Sequence, residues 1–322
     1  MLKNMSITEP MSTQGESLLA VTGPLSYAKG HGTGNDFVLI ADPEDKHDLG
    51  SEQVAAICDR RRGIGGDGLI RAVPSEYLAE GREILAAHPE ARWFMDYRNG
   101  DGSISEMCGN GVRVFVHFLV SEKLVELPEG AELSIGTRAG LKIVTRVAEG
   151  YSVDMGPWGF IYPESVEQGG LDSVVQTEGL PEPRAAVSVS MGNPHTIVAV
   201  ASQTELEDLE LFTIPVVDPL PPHGTNVEYV LPAQPLIEDG RGSLRMRVHE
   251  RGVGETLSCG TGACAAAVAT RHWAQAQDVA NWEVAVPGGT LGIRFAPGAG
   301  GAEHVFLSGP AVLVARGSIT EV

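Results

Sequence analysis

The chain has 322 residues, enough for about two domains at roughly 150 residues each. Its formal charge of -19 and pI near 4.8 argue against a nucleic-acid partner, which needs clustered Lys and Arg. At 43% hydrophobic and 20% charged it buries a full core, while its 40 glycines and lack of an apolar run near ~18 residues exclude coiled coils, simple helix bundles and a membrane-spanning helix.

Residues 1–24 read as a loose extension: Glu9 and Glu16 interrupt them and the apolar stretch Leu18–Val21 is too short for a signal segment, so a cytoplasmic location is expected, with Met5 and Met11 as alternative starts. Asp36–Ile40 is a short buried strand entered through a Gly-Asn turn. A helix is predicted over Ser51–Arg60, with Ser51 as N-cap and Val54, Ile57 and Cys58 on one face. The glycine loop RRGIGGDG opens a strand, residues 75–92 read as a surface insertion, and 93–98 form a strand followed by the turn NGDGS. In residues 105–120 a Gly-rich turn holding Cys108 leads into an apolar helix. Residues 256–274 repeat the arrangement, with Cys259 leading into a helix of small residues. A second echo pairs residues 32–40 with 191–200, each a Gly-Asn turn beside a β-rich run. These echoes predict two halves of one architecture, with a seam near residue 150.

Four cysteines, at 58, 108, 259 and 264, in a chain of this size and expected compartment do not make a disulfide scaffold. None forms the close CxxC pair usual for structural zinc, and no metal is implied. Cys58 and Cys264 lie inside apolar helical patterns and read as small buried hydrophobes. Lysine occurs five times and never after Lys142, so few residues are available for a pyridoxal Schiff base.

Cys108 and Cys259 are different. A helix N-terminus offers unpaired N–H groups and roughly half a positive charge, which is expected to lower the pKa of a thiol placed there. The glycines that follow let backbone amides approach an anion. Two thiols flanking one carbon suit inversion of a stereocentre, one removing the α-proton and the other delivering a proton to the opposite face. The amides of both helix starts would hold the carboxylate and the developing enolate charge. Burial as small hydrophobes, or a reversible disulfide between these two residues, are the competing readings.

With these residues in view, the sequence resembles the diaminopimelate epimerase family. The matching segments are HGTGNDFVLI, RRGIGGDG, DYRNGDGSISEMCGNGVR, VSMGNPHTIV, HGTNVEYV and HERGVGETLSCGTGACA, in family order over residues 29–320. The resemblance implies an α/β fold of two pseudo-symmetric domains, residues 25–149 and 150–304. Each would be a curved mixed sheet around a central helix, with a strand from about 305–322 returning to the first and the active site between them. It also implies epimerisation of LL-diaminopimelate to the meso isomer by a cofactor-independent homodimer. Cys108 and Cys259 would be the acid/base pair. Gly109, Asn110, Gly260 and Thr261 would supply anion-holding amides, and Asn35, Asn99, Asn193 and Asn226 would contact substrate. Arg251 suits a distal carboxylate and Glu250 an ammonium group, while His195 and Glu250 are candidates for tuning the thiols. Gly68 stands where some members carry Gln, so that contact is lost. A sister racemase acting on proline or hydroxyproline is the nearest alternative, with a thiol redox sensor behind it.

Overall fold

The computed structural model describes residues 24–320. The extension expected over residues 1–24 therefore lies, apart from its last residue, outside the described residues. The first half comprises β1 (Leu25–Gly32), β2 (Asn35–Ala41), α1 (Ser51–Cys58), β3 (Gly68–Pro74), α2 (Ala79–Ala87), β4 (Trp93–Asn99), α3 (Gly109–Ser121), β5 (Glu132–Thr137), β6 (Gly140–Val147) and β7 (Gly150–Pro157). There follow β8 (Gly159–Phe160), α4 (Pro163–Gly169), β9 (Ser173–Gln176), β10 (Arg184–Ser190), β11 (Pro194–Ala199), α5 (Gln203–Glu207), β12 (Val216–Asp218) and β13 (Asn226–Glu238). The chain ends with β14 (Arg241–Glu250), β15 (Gly254–Thr256), α6 (Gly260–Trp273), β16 (Asn281–Val286), β17 (Gly289–Pro297), β18 (Glu303–Gly309) and β19 (Val312–Ile319).

Strand pairing repeats from one half to the other. β1 and β2 form an antiparallel hairpin, β2 runs parallel to β3, β3 antiparallel to β4, β4 parallel to β5, and β5, β6 and β7 close the set antiparallel. β10, β11, β13, β14, β16, β17 and β18 pair in the same sequence of directions. β7 and β18, the last strand of each set, pair antiparallel and join the two halves, and β19 crosses back to pair with β1. In both halves one helix, α3 or α6, links the fourth strand to the fifth, as a parallel connection requires.

Those two helices are the cores of their halves. Val112, Val114, Phe115, Val116, Phe118 and Leu119 bury α3 on nearly every side. The alanines at 263, 265, 266, 267 and 269 let the second sheet close tightly on α6. A helix apolar all round is a core helix, and the sheets wrap it because no other surface is available to bury. Among the described residues no helix is long and apolar enough to cross a membrane.

Three expectations change. Gly50, not Ser51, is the N-cap of α1, its N–H accepted by the Gln53 side chain at 2.8 Å, and the helix stops at Cys58. The expected seam near residue 150 is a tight hairpin between β6 and β7, so the first set of strands runs on to Pro157. Residue 305 falls within β18, which pairs with β17 and, at the join between the halves, with β7; β19 is the strand that pairs with β1. The 75–92 segment is folded: α2 is anchored by Arg138, which pairs with both Glu80 and Asp96.

Candidate active site

The N-termini of α3 and α6 face each other where the halves meet, and a β-carbon built on Gly260 would stand 3.5 Å from Gly109 Cα. Each helix begins one residue after a cysteine with extended backbone, Cys108 (φ -138°, ψ 121°) and Cys259 (φ -113°, ψ 116°). Both thiols are thus N-caps, a position in which the following amides point back at the sulfur. The Gly262 N–H donates to Cys259 Sγ at 3.4 Å, and Thr261 Oγ1 lies 3.6 Å from it. The Cys108 thiol donates to Asn35 Oδ1 at 3.2 Å.

Polar side chains tie the halves together around these caps. Thr33, in the β1–β2 turn with a left-handed φ of 51°, hydrogen-bonds Ser258 through the two hydroxyls at 2.7 Å. Asn110 Nδ2 donates to the Ser258 carbonyl at 3.1 Å and its hydroxyl at 3.2 Å. The amide is held in that orientation by buried Arg113, whose Nη2 donates to Asn110 Oδ1 at 2.9 Å. Burial pulls Arg113 down to about 10, so it remains a cation at neutral pH. Asn35 is fixed in the same way: its Nδ2 donates to Asp67 Oδ2 at 2.7 Å, which turns Oδ1 toward Cys108. Asp67 is in turn held by Arg60 at 2.7 Å.

On the Cys259 side lies a buried pair. His195 Nδ1 and Glu228 Oε1 are 2.7 Å apart and both side chains are wholly buried. With Glu228 as a carboxylate its oxygen accepts this bond from Nδ1. Asn193 lies 3.0 Å from the other ring nitrogen. Glu250, in β14, accepts from the Thr256 hydroxyl, and burial pushes its carboxyl above the usual range.

The thiols do not follow the expectation from helix starts. Burial pushes Cys108 up to about 11, with the negative charge of Glu250 adding to it and the Gly111 and Asn110 amides opposing. Cys259 is raised well above the ordinary thiol value by burial first, then by Glu250 and Glu228. Partial charges at the helix ends are outweighed because desolvation penalises the full thiolate charge, and two carboxylates share the site. Both cysteines are therefore thiols at neutral pH.

Among the predicted residues, Cys108, Cys259, Asn35, Gly109, Asn110, Gly260, Thr261, His195 and Glu250 gather around the two helix starts. Asn193 joins them through His195. Asn226 is turned to the backbone, donating to the Pro194 carbonyl at 3.2 Å and accepting from the Arg251 N–H at 3.0 Å. Asn99 is engaged with Ser103 at 3.0 Å, closing its own turn. Arg251 is exposed and donates to the His223 carbonyl. Gly68 has no room for a side chain, since a β-carbon there would meet the Arg98 carbonyl at 2.4 Å. Cys58 and Cys264 are buried and outside the cluster. Sequence reasoning missed Glu228, Ser258, Asp67 and Arg113. Glu228 had a signal: an acid in the apolar run VEYV, where a strand buried on both faces leaves it no route to solvent.

A ring nitrogen of His195, a carboxylate oxygen of Glu228 and the Cys259 sulfur lie within 4.8 Å of one another, the one such cluster among the described residues with donors suited to a cation. Two of its three donors are already bonded to each other.

The family model described as diaminopimelate epimerase matches residues 27–161 and 187–314. A diaminopimelate epimerase of Streptomyces coelicolor is 44% identical over 300 residues, covering 91% of this chain and 94% of its own. That of Rhodococcus jostii is 40% identical, covering 92% and 98%. Among solved structures, a Bacillus anthracis phenazine biosynthesis protein of the PhzF family aligns with a TM-score of 0.61 at 16% identity, over 92% of this chain and 99% of that one. A hydroxyproline epimerase from Agrobacterium vitis with bound trans-4-hydroxy-L-proline aligns with a TM-score of 0.59 at 15% identity, over 92% of each chain. These two establish a shared fold.

Proposed function

The chain belongs to the diaminopimelate epimerase family, and from that premise we propose that it interconverts LL- and meso-diaminopimelate by proton removal and return at one α-carbon. The observation that carries the reading is the matched pair of cysteine caps, one per half, on core helices whose N-termini meet. One thiol is deprotonated to act as base while the other delivers its proton to the opposite face. The substrate's ammonium group offsets the charge that raises both thiols, and Glu250 stands near enough to both to feel it. Amides at the two helix starts hold the carboxylate as the α-carbon takes on carbanion character. Arg251, exposed and bonded to the His223 carbonyl, would exchange that bond for one to the distal carboxylate.

The reading carries with it a cytoplasmic homodimer that uses no metal or organic cofactor and engages neither nucleic acid nor membrane. It divides the chain after β7, with β19 completing the first domain. A proline or hydroxyproline racemase is disfavoured by the family match, and nothing in the site favours a redox sensor over it.

The test is incubation of reduced protein with LL-diaminopimelate in deuterated water. Loss of the α-proton signal by NMR and appearance of the meso isomer are expected, with epimerisation abolished in Cys108→Ala and in Cys259→Ala. Exchange with another amino acid but not with diaminopimelate would move the substrate assignment elsewhere.

A further inference from the structure

Glu228 is an acid placed where acids are rarely tolerated. It is wholly buried, and while Oε1 is bonded to His195 Nδ1 at 2.7 Å, Oε2 has no hydrogen-bond partner among the described residues. A buried carboxylate oxygen without a partner costs stability, so its presence calls for an explanation. Gly262 makes room for it: a β-carbon at that helix position would stand 2.5 Å from Glu228 Oε1. The same Gly262 donates its N–H to Cys259 Sγ, so thiol and carboxylate are seated against one residue, with a carboxylate oxygen within 4.8 Å of the sulfur.

We propose that Glu228 is the internal proton acceptor for Cys259, taking the thiol proton on Oε2 so that the sulfur becomes the base, with His195 holding the carboxylate in place. This rests on the epimerase reading above. The S–H bond breaks with its electron pair remaining on sulfur, and an O–H bond forms at Oε2. The thiolate then removes the α-proton while Cys108 gives its own proton to the opposite face. When product leaves, Glu228 releases its proton to entering water, which returns one to Cys108.

The physical case is one of net charge. Ionising Cys259 to solvent would add a negative charge to a buried cluster already holding Glu228 and Glu250, which burial penalises. Moving a proton between sulfur and oxygen inside the cluster adds none. Cys259 Sγ is bonded to Thr261 and Gly262 and not yet to Glu228, as is common before substrate draws a site together. Glu228 acts through Cys259 and is a positioning residue in this scheme.

The groups facing Cys259 are Glu250 from β14, Glu228 from β13, His195 from β11 and Cys108 from the start of α3, so a pH profile reads all of them. Replacing Glu228 alone isolates its part. Glu228→Gln keeps the shape and removes the acceptor. Its kcat/KM is expected to fall roughly 10²-fold at pH 7 and to recover as pH rises, the acid limb having moved upward. If the carboxylate only repels the thiolate, removing it moves that limb downward. Undiminished kcat/KM or a downward shift overturns the proposal.

Should Glu228→Gln fail to fold by circular dichroism, the wild type decides. Alkylation of Cys259 by iodoacetamide, read by peptide mass spectrometry, levels off below neutral pH if the proton stays within the cluster. A continued tenfold fall per pH unit overturns it. This second measurement needs no substrate. Wild-type protein that exchanges no diaminopimelate proton overturns the proposed function, while the alkylation profile still judges the carboxylate.

Discussion

Gly262→Ala sets two effects of known size against each other. Alanine is better than glycine in a helix by about 1 kcal/mol, less in a first turn, so propensity alone predicts a more stable protein. The new methyl, however, would sit 2.5 Å from Glu228 Oε1, 3.1 Å from its Cδ and 3.2 Å from Cys259 Cβ. To reach van der Waals separation the carboxylate must retreat by about 0.7 Å or more. That stretches the 2.7 Å bond to His195 beyond useful hydrogen-bond length. A hydrogen bond to a charged group is worth about 1.5–3 kcal/mol, and the loss falls on two fully buried partners. The clash therefore wins, with net destabilisation of about 1–2 kcal/mol. The melting temperature should drop by about 2–5 °C in calorimetry or circular dichroism. Epimerase turnover should fall by about tenfold, because the Cys259 environment is disturbed with the pair. A melting temperature equal to or above wild type, with turnover intact, would refute the claim that Gly262 is there to admit the carboxylate.

Cys108 in the unmodified protein should react slowly with iodoacetamide at pH 7 and accelerate up to a midpoint near pH 11; a midpoint at or below the ordinary thiol value would show that the helix start outweighs burial after all. Burial pushes Asp36 up, but Arg60 and Lys29 outweigh it and hold its carboxyl well below the usual carboxylate range. A depressed folded pKa contributes stability above the unfolded value of about 3.9 and loses it as pH falls. Asp36→Asn should therefore cost about 1–2 kcal/mol at pH 7 and progressively less toward pH 3 in urea titrations, and a penalty independent of pH would count against the ion pairs. Gly68→Ala should destabilise by more than about 2 kcal/mol, since its β-carbon meets the Arg98 carbonyl at 2.4 Å and Tyr97 Cε2 at 2.6 Å; a neutral effect in thermal melts would mean the strands part easily. Oxidant should abolish activity and dithiothreitol restore it, and full activity alongside a demonstrated Cys108–Cys259 disulfide would contradict both cysteine roles.

What the sequence could express was local. The cysteine caps were legible because Cys-Gly-x-Gly before an apolar run is a complete statement about a helix start, needing no partner elsewhere. Both hydrophobic runs were legible for the same reason, and the repeat of turn, strand and helix carried the two-half architecture. Electrostatics were not legible, because they depend on what is brought near from afar. The helix ends alone argued for acidic thiols, and the resemblance named Glu250 as a tuning residue without the direction of its effect; the fold adds Glu228 from β13 and removes water, reversing the sign. The orientation of the asparagines belongs to the same class. Asn35 presents its oxygen to Cys108 only because Asp67 holds its nitrogen, and Asn110 presents its nitrogen to Ser258 only because Arg113 holds its oxygen. In each case a charge outside the recognised motif residue decides which end of a neutral amide faces the site.

The strand pairing explains why such long-range terms converge at one place. β13 and β14 are neighbours, and register sets Val227 opposite His249 at the end nearest the α6 start. β11 runs parallel to β13 with His195 opposite Asn226, two residues before Glu228. His195 and Glu228 thus project from adjacent strands on the face that α6 covers, and Gly262 at the first turn of α6 is where that face meets the helix. In the first half the equivalent strands place Asn35 at the start of β2 and Gly68 at the start of β3, their register pairing Phe37 with Gly68. Ile70 occupies the position there that Glu228 takes in the second half, and Cys108 meets an amide oxygen where Cys259 meets a buried histidine–carboxylate pair. The backbone repeat makes the two thiols alike in position, and the departure from that repeat makes them unlike in chemistry. In the proposed two-thiol reaction one sulfur holds its proton while the other gives its proton up, and their unlike surroundings bear on which does so in each direction.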